Sequence, residues 1–269
     1  MAGFLGFGNY DKPGPGIEKN QVSKKSFFVF FELYFRKFWK LIEINMLFFV
    51  FCILVSIPFL LAGYFTKNII VLCACLIPIQ ALLPGLVFVL RNFAREEHAF
   101  LWGDFIDTIK KNWRQSLVVG VIDYIVYIVM IIAINFYYSQ LHTNAWIIVP
   151  LGLCIVFTTI FTFMQYYLML QIITFDLKLK QIFKNSFLFA FAGMGRNLLI
   201  TLFCGIVSLA VYIIFPISLF LVPFLLISLY GFIIVFNAWI MVKKFMIPDV
   251  KEELDVEENS LFEDQGKER

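Results

Sequence analysis

The sequence predicts an all-α, polytopic membrane helix bundle of about six transmembrane helices, with amphipathic cytoplasmic surface helices and both termini in the cytoplasm. Three observations carry that prediction. The chain is 61% hydrophobic and only 15% charged, where a soluble domain carries about a quarter charged residues. Charge is missing from long intervals: between Glu43 and Lys67, Lys67 and Arg91, Asp123 and Asp176, and Arg196 and Lys243. Finally, with the N-terminus inside, every Lys and Arg except Lys67 falls on the cytoplasmic side, the bias that sets orientation in multi-pass proteins.

The elements follow in order. Residues 1–26 form an irregular cytoplasmic lead without a signal-peptide pattern. Residues 27–44 read as an amphipathic interfacial helix, with Glu32, Arg36, Lys40 and Glu43 spaced to form one polar stripe on an aromatic surface. A span needs about 20 mostly apolar residues. The membrane domain, 45–242, accordingly divides into spans at 45–64, 69–90, 117–137, 146–170, 197–217 and 221–242. Backbone groups in lipid must pair within their own segment, which makes the spans helices. Tyr138–Asn144 supplies the polar turn between the third and fourth spans, and Pro216 and Pro223 bracket the turn between the last two. For that last pair, a re-entrant hairpin is the alternative.

Two cytoplasmic connections, 91–116 and 171–196, each contain a surface helix by pattern. In the first, Asp104 is placed to cap the helix, and Leu101, Phe105, Ile109 and Trp113 recur every four residues as a membrane-facing stripe. Asp107 and Lys111 form an i,i+4 pair on the other side. DTIKKN (107–112) aligns with KQIFKN (180–185) at Ile109/Ile182, Lys111/Lys184 and Asn112/Asn185, a weak internal repeat. Residues 243–269 form an acidic tail, with nine acids and three bases from 249 onward; that composition predicts disorder.

GPG (14–16), FRKFWKLIEIN (35–45), LRNFAREEHAFLWGDF (90–105) and KKNWRQSL (110–117) together resemble the YesL-like bacterial membrane proteins, a family of unknown molecular function. The likeness covers most of residues 10–120; beyond them it rests on span spacing and the KNSF stretch. It implies a six-span protein of the plasma membrane of a Gram-positive bacterium. It further implies an accessory role in carbohydrate uptake, with subunits of ATP-driven carbohydrate transporters as partners. The family supplies no catalytic residues to carry over.

The residues themselves argue against chemistry. His98 and His142 fall on opposite faces of the membrane and cannot share a metal. Glu96, Glu97 and His98 are adjacent and read as a solvated, headgroup-facing cluster. The five cysteines, Cys52, Cys73, Cys75, Cys154 and Cys204, lie inside spans at no zinc spacing and read as small apolar packing residues. GMGRN (193–197) lacks the Lys-Ser or Lys-Thr of a phosphate loop, and no serine or cysteine sits in a nucleophile elbow. Glu97–Gly103 partly matches the E-A-A-x-x-x-G loop of ATP-driven importer permeases, but the downstream Ile-x-Leu-Pro is missing and the match is read as coincidence. The expectation is a non-enzymatic protein with no metal, no cofactor and no nucleic-acid partner, embedded in the bilayer. Its cytoplasmic docking face would comprise Arg95, Glu96, Glu97, Asp104, Lys111 and Asn112.

Asp123 is the exception, the sole carboxylate inside an expected span. Gln80, Gln165 and Asn237 are polar groups placed to join it, and Pro78 and Pro84 to kink the second span. One reading makes it a proton- or solute-binding locus of a small-solute transporter or channel. The other makes it a near-interface Asp, hydrogen-bonded to neighbouring helices or reaching water.

Overall fold

The charge-free intervals of the sequence are mostly helix, interrupted by turns at 141–144 and 214–216. The computed structural model describes residues 26–247, so the expected lead before Ser26 and the acidic tail beyond Ile247 lie outside the described residues. Among the described residues there is no strand. Six helical stretches are long and apolar enough to cross a membrane: Phe38–Phe65, Ile69–Ala94, Leu101–Gln140, Ala145–Thr174, Met194–Ile213 and Ser218–Met246.

Among the described residues ten α-helices make up these stretches and their connections: α1 (Ser26–Arg36), α2 (Phe38–Val55), α3 (Ile57–Phe65), α4 (Ile69–Ala74), α5 (Leu83–Ala94), α6 (Leu101–Gln140), α7 (Ile148–Thr174), α8 (Leu179–Ala192), α9 (Met194–Ile213) and α10 (Ile227–Met246). The first span is α2 and α3, offset at Ser56 because Pro58 has no N–H to continue the ladder. The second is broken more deeply. Pro78 is the second residue of a 3₁₀ segment, Ile77–Leu82, that separates α4 from α5, and Pro84 is the second residue of α5. The sixth begins with a 3₁₀ turn at Ile217–Phe220 and a π-helical turn at Val222–Leu226. α9 and α10 run antiparallel, joined by Arg196 to Asn237 at one end and Ser208 to Tyr230 further along. At 20 residues, α9 is about 30 Å long, enough for a full span rather than a re-entrant arm.

Two expected surface helices are arranged differently. The helix expected over 27–44 is split at Lys37, whose backbone leaves the helical region. Residues 38–44 thus open the first span, and the stripe from Glu32 to Glu43 is shared between two helices. The opposite faces of α1 and α2 pack inward through Leu33, Tyr34, Leu41 and Ile44, with Phe30 against Phe232 and Phe236. The helix expected inside 91–116 is no separate element. It forms the first turns of α6, which runs unbroken for 40 residues, about 60 Å. Its stripe is likewise divided: Phe105 is fully buried against Phe51 while Trp113 is exposed. The matching segment 180–185 lies in a distinct 14-residue helix, α8, so the two copies of the weak repeat have different contexts.

The core is concentrated at one end, the basic end, where the 95–100 and 175–178 connections lie. Buried residues of α2 stop at Phe48, those of α6 stop at Gly120, and α3 and α4 have none. The far ends expose a wide apolar surface that includes Leu60, Leu61, Ile131, Ile132, Leu153 and Val156. Exposure of that extent marks a surface that water does not bathe.

Candidate functional site

Along α6 the buried residues recur as Phe105, Thr108, Asn112, Ser116, Val119 and Gly120. The next inward position on that stripe is Asp123. Its carboxylate is therefore turned into the bundle by helical periodicity. Arg114 is the last charged residue before it, and nine residues of helix put the two about 14 Å apart along the axis. That is about two and a half helical turns beyond the last basic residue of α6.

Two glutamine amides meet the carboxylate there. Gln165 Nε2, from α7, donates to Asp123 Oδ1 at 2.7 Å. Gln80 Nε2, from the 3₁₀ segment of the broken second span, donates to Oδ2 at 3.1 Å. Gly120 makes this approach possible: a Cβ there would stand 2.7 Å from Gln80 Cβ and 3.4 Å from the Ile77 carbonyl oxygen. One turn beyond Asp123, Tyr127 Oη shares a hydrogen bond with Thr162 at 3.2 Å, and Tyr124 Oη donates to the Ile70 carbonyl at 2.7 Å. Asp123, Gln80, Gln165, Tyr124 and Tyr127, together with Cys73, border a cavity of about 510 Å³. No Lys or Arg pairs with Asp123 among the described residues. The site thus offers an acceptor carboxylate, neutral amide donors, two tyrosines and a cavity, with no resident counter-charge.

Asn237, expected to join this group, belongs to another. Its Oδ1 accepts from Arg196 Nε at 2.9 Å, and its amide reaches Asn197 Oδ1 at 3.4 Å. Asn197 also accepts from Tyr167 Oη at 2.7 Å. This second cluster ties α7, α9 and α10 together at the basic end, away from α6. The register of α10, set by its irregular start at Val222–Leu226, turns Asn237 toward α9.

The residues of the expected docking face do not form one open surface. Arg95 pairs with Glu97 and stacks over Trp239. Glu96 pairs with Arg36 of α1 at 2.6 Å. Asp104 lies in the first turn of α6 and accepts from the backbone N–H of Phe100 at 2.8 Å; the N-cap position itself is Phe100. Asn112 is buried, its amide donating to the Thr108 carbonyl. Lys111 is exposed, and Asp107 pairs with Lys110, not Lys111, at 3.8 Å.

Sequence reasoning passed over several buried polar residues, Asn45 and Arg91 among them. Asn45 of α2, fully buried, donates to the Val222 carbonyl and accepts from the Ser228 N–H, pairing backbone groups that the π turn leaves open. Arg91, buried at the end of α5, donates to Thr174 Oγ1 and Asn92 Oδ1 and stacks on Phe88. The only signal for Asn45 was an amide inside an apolar run, and Arg91 had been read as a loop residue.

Other expected features stand apart from both clusters. His98 packs beside Phe100 at the basic end, and His142 lies in the turn at the opposite end. All five cysteines are free. No group of three or more His, Cys, Asp or Glu among the described residues is arranged to hold a metal. Compared with protein-family models, with curated proteins and with solved structures, the chain finds no match.

Proposed function

We propose that this multi-pass integral membrane protein is a small-solute transporter or channel that binds its solute, or a coupled proton, at Asp123. The observation that carries this reading is the two-amide cradle around an intramembrane carboxylate beside a cavity and a broken helix. A carboxylate in a low-dielectric setting needs a compensating positive charge, and neutral amides supply only part of it. A proton or a cationic group of a solute supplies the rest. Irregular backbone at membrane depth is tolerated where it lines a cavity, and interrupted spans build the solute sites of many transporters. The 3₁₀ segment that delivers Gln80 fits that pattern. Reconstituted vesicles loaded with a pH-sensitive dye test the reading against a panel of mono- and disaccharides, the class that the YesL-like resemblance brings forward. The expected result is a solute-evoked pH change in the wild type that Asp123→Asn reduces at least about ten-fold, equivalent to about 1.4 kcal/mol in the transport barrier. A wild type silent to the whole panel, or an Asn variant as active as the wild type, overturns it.

A second reading makes the protein an accessory of carbohydrate importers, docking through its basic end with that end in the cytoplasm of a bacterial cell. It is favoured by the length of α6. A helix of about 60 Å exceeds the hydrocarbon thickness roughly two-fold. Its first turns carry exposed Trp102, Lys110, Lys111, Trp113 and Arg114. Loss of co-purifying transporter subunits on Lys111→Glu, with membrane levels intact, supports this reading; recovery of no transporter subunit with the wild type removes it.

A further inference from the structure

A groove between α1, α9 and α10 is separate from the Asp123 cavity and has a different character. It encloses about 380 Å³. Its walls are apolar, with Phe27, Phe30 and Phe31 from α1 facing Leu199 and Phe203 from α9. Its polar groups gather toward the basic end, where Arg196 and Asn237 meet. Going along α9 from Arg196, one turn reaches Ile200 and two turns reach Phe203, so the groove passes from cationic to aromatic over about 10 Å.

Arg196 is under-used by the protein itself. Its Nε donates to Asn237 at 2.9 Å; among the described residues neither terminal nitrogen makes a hydrogen bond and no carboxylate pairs with it. It is also the third residue of α9, at the helix end where the backbone dipole is already positive. Two like fields thus overlap at one point, and an anion there relieves both. The groove lies open on its lipid-facing side: of α9 only Asn197 is buried, while Leu198, Leu199, Leu202 and Ile206 are exposed.

We propose that this groove binds one anionic phospholipid, its phosphate on the Arg196 guanidinium and an acyl chain along the Phe31–Phe203 wall. The order of polarity along the groove is that of an amphiphile: charge at the membrane edge and hydrocarbon further in. A peptide segment is disfavoured as occupant, because its backbone groups would lack partners beside the hydrocarbon. Basic pockets between helices are a recurrent means of holding acidic headgroups. The site rests on α1, α9 and α10 alone, so it is independent of the role proposed for Asp123.

The test uses the full chain with its five native tryptophans replaced by phenylalanine and Phe203→Trp as the sole reporter, reconstituted in bilayers that contain either brominated phosphatidylglycerol or brominated phosphatidylcholine at equal mole fraction. Bromine quenches the tryptophan in proportion to local lipid occupancy. The expected result is an apparent preference for the anionic lipid of about five-fold, the factor that one basic residue beside an acidic headgroup supplies. Adding Arg196→Gln abolishes the preference and leaves quenching by phosphatidylcholine unchanged, which also shows the variant to be folded and inserted. Equal quenching by both lipids in the Arg196 background overturns the proposal. So does a preference that survives Arg196→Gln, or one that free inorganic phosphate competes away.

Discussion

At Glu96 the backbone carries φ 61°, the left-handed conformation at which glycine usually ends a helix. The Glu96 N–H donates to the Phe93 carbonyl and the Glu97 N–H to the Asn92 carbonyl, which closes α5. A side chain in this conformation costs about 1–2 kcal/mol, and the exposed pair with Arg36 returns about 0–1 kcal/mol. Glu96→Gly is therefore expected to leave the thermal unfolding temperature of the purified protein unchanged or slightly raised. A marked fall would mean that the ion pair, and with it the attachment of α1, outweighs the backbone strain. Residue-level legibility was uneven for a related reason. Asp123 was conspicuous because a charge in an apolar run has few explanations. Its grouping with Gln80 and Gln165 but not Asn237 depends on how four helices are turned, and no single helix pattern contains that information.

Among elements, glycine marks where helices touch. A Cβ on Gly85 would stand 2.6 Å from the Phe105 carbonyl oxygen and 2.7 Å from the Phe105 ring, between α5 and α6. At Gly152 of α7 a Cβ would meet nothing within 4 Å. Gly85→Ala is expected to destabilise the protein by about 1–3 kcal/mol and Gly152→Ala to leave it unchanged or slightly stabilised, read by unfolding in mixed micelles. Gly120→Ala pushes directly on Gln80, so it should impair solute-evoked signals while Asp123 itself is intact. Element boundaries were legible where charge or proline marks them, as at Pro78 and Pro84. They were misread where charge suggested a surface helix separate from the third span. Asp104 to Arg114 is highly charged, yet it contains neither glycine nor proline, and such residues extend a helix into water without ending it. The break at Lys37 had no such marker, since neither glycine nor proline adjoins it.

For the whole molecule, the distribution of Lys and Arg predicts that the basic end faces the cytoplasm. In a variant whose five cysteines are replaced by alanine, Lys111→Cys should react with a membrane-impermeant maleimide only after permeabilisation. His142→Cys should react in intact cells. The reverse pattern would invert the orientation. The six-span architecture was legible because long charge-free intervals constrain a chain strongly. The one-sided packing was not: the spans are equally apolar along their length, and only their angles decide where they converge.

The continuity of α6 has a mechanical consequence. Asp123 lies 22 residues from the start of that helix at Leu101, about 33 Å away, and no proline or other break intervenes. A straight rod of this kind behaves as a lever. Pivoting it by about 10° near Asp123 would swing the Leu101 end through about 6 Å, and α2 and α5, packed on Phe105, would have to move with it. On the transporter reading proposed above, occupancy of the Asp123 cavity would be coupled through this helix to motion of Lys110, Lys111 and Trp113 at the basic end. On that reading one helix would both wall the cavity and carry its state to the basic end.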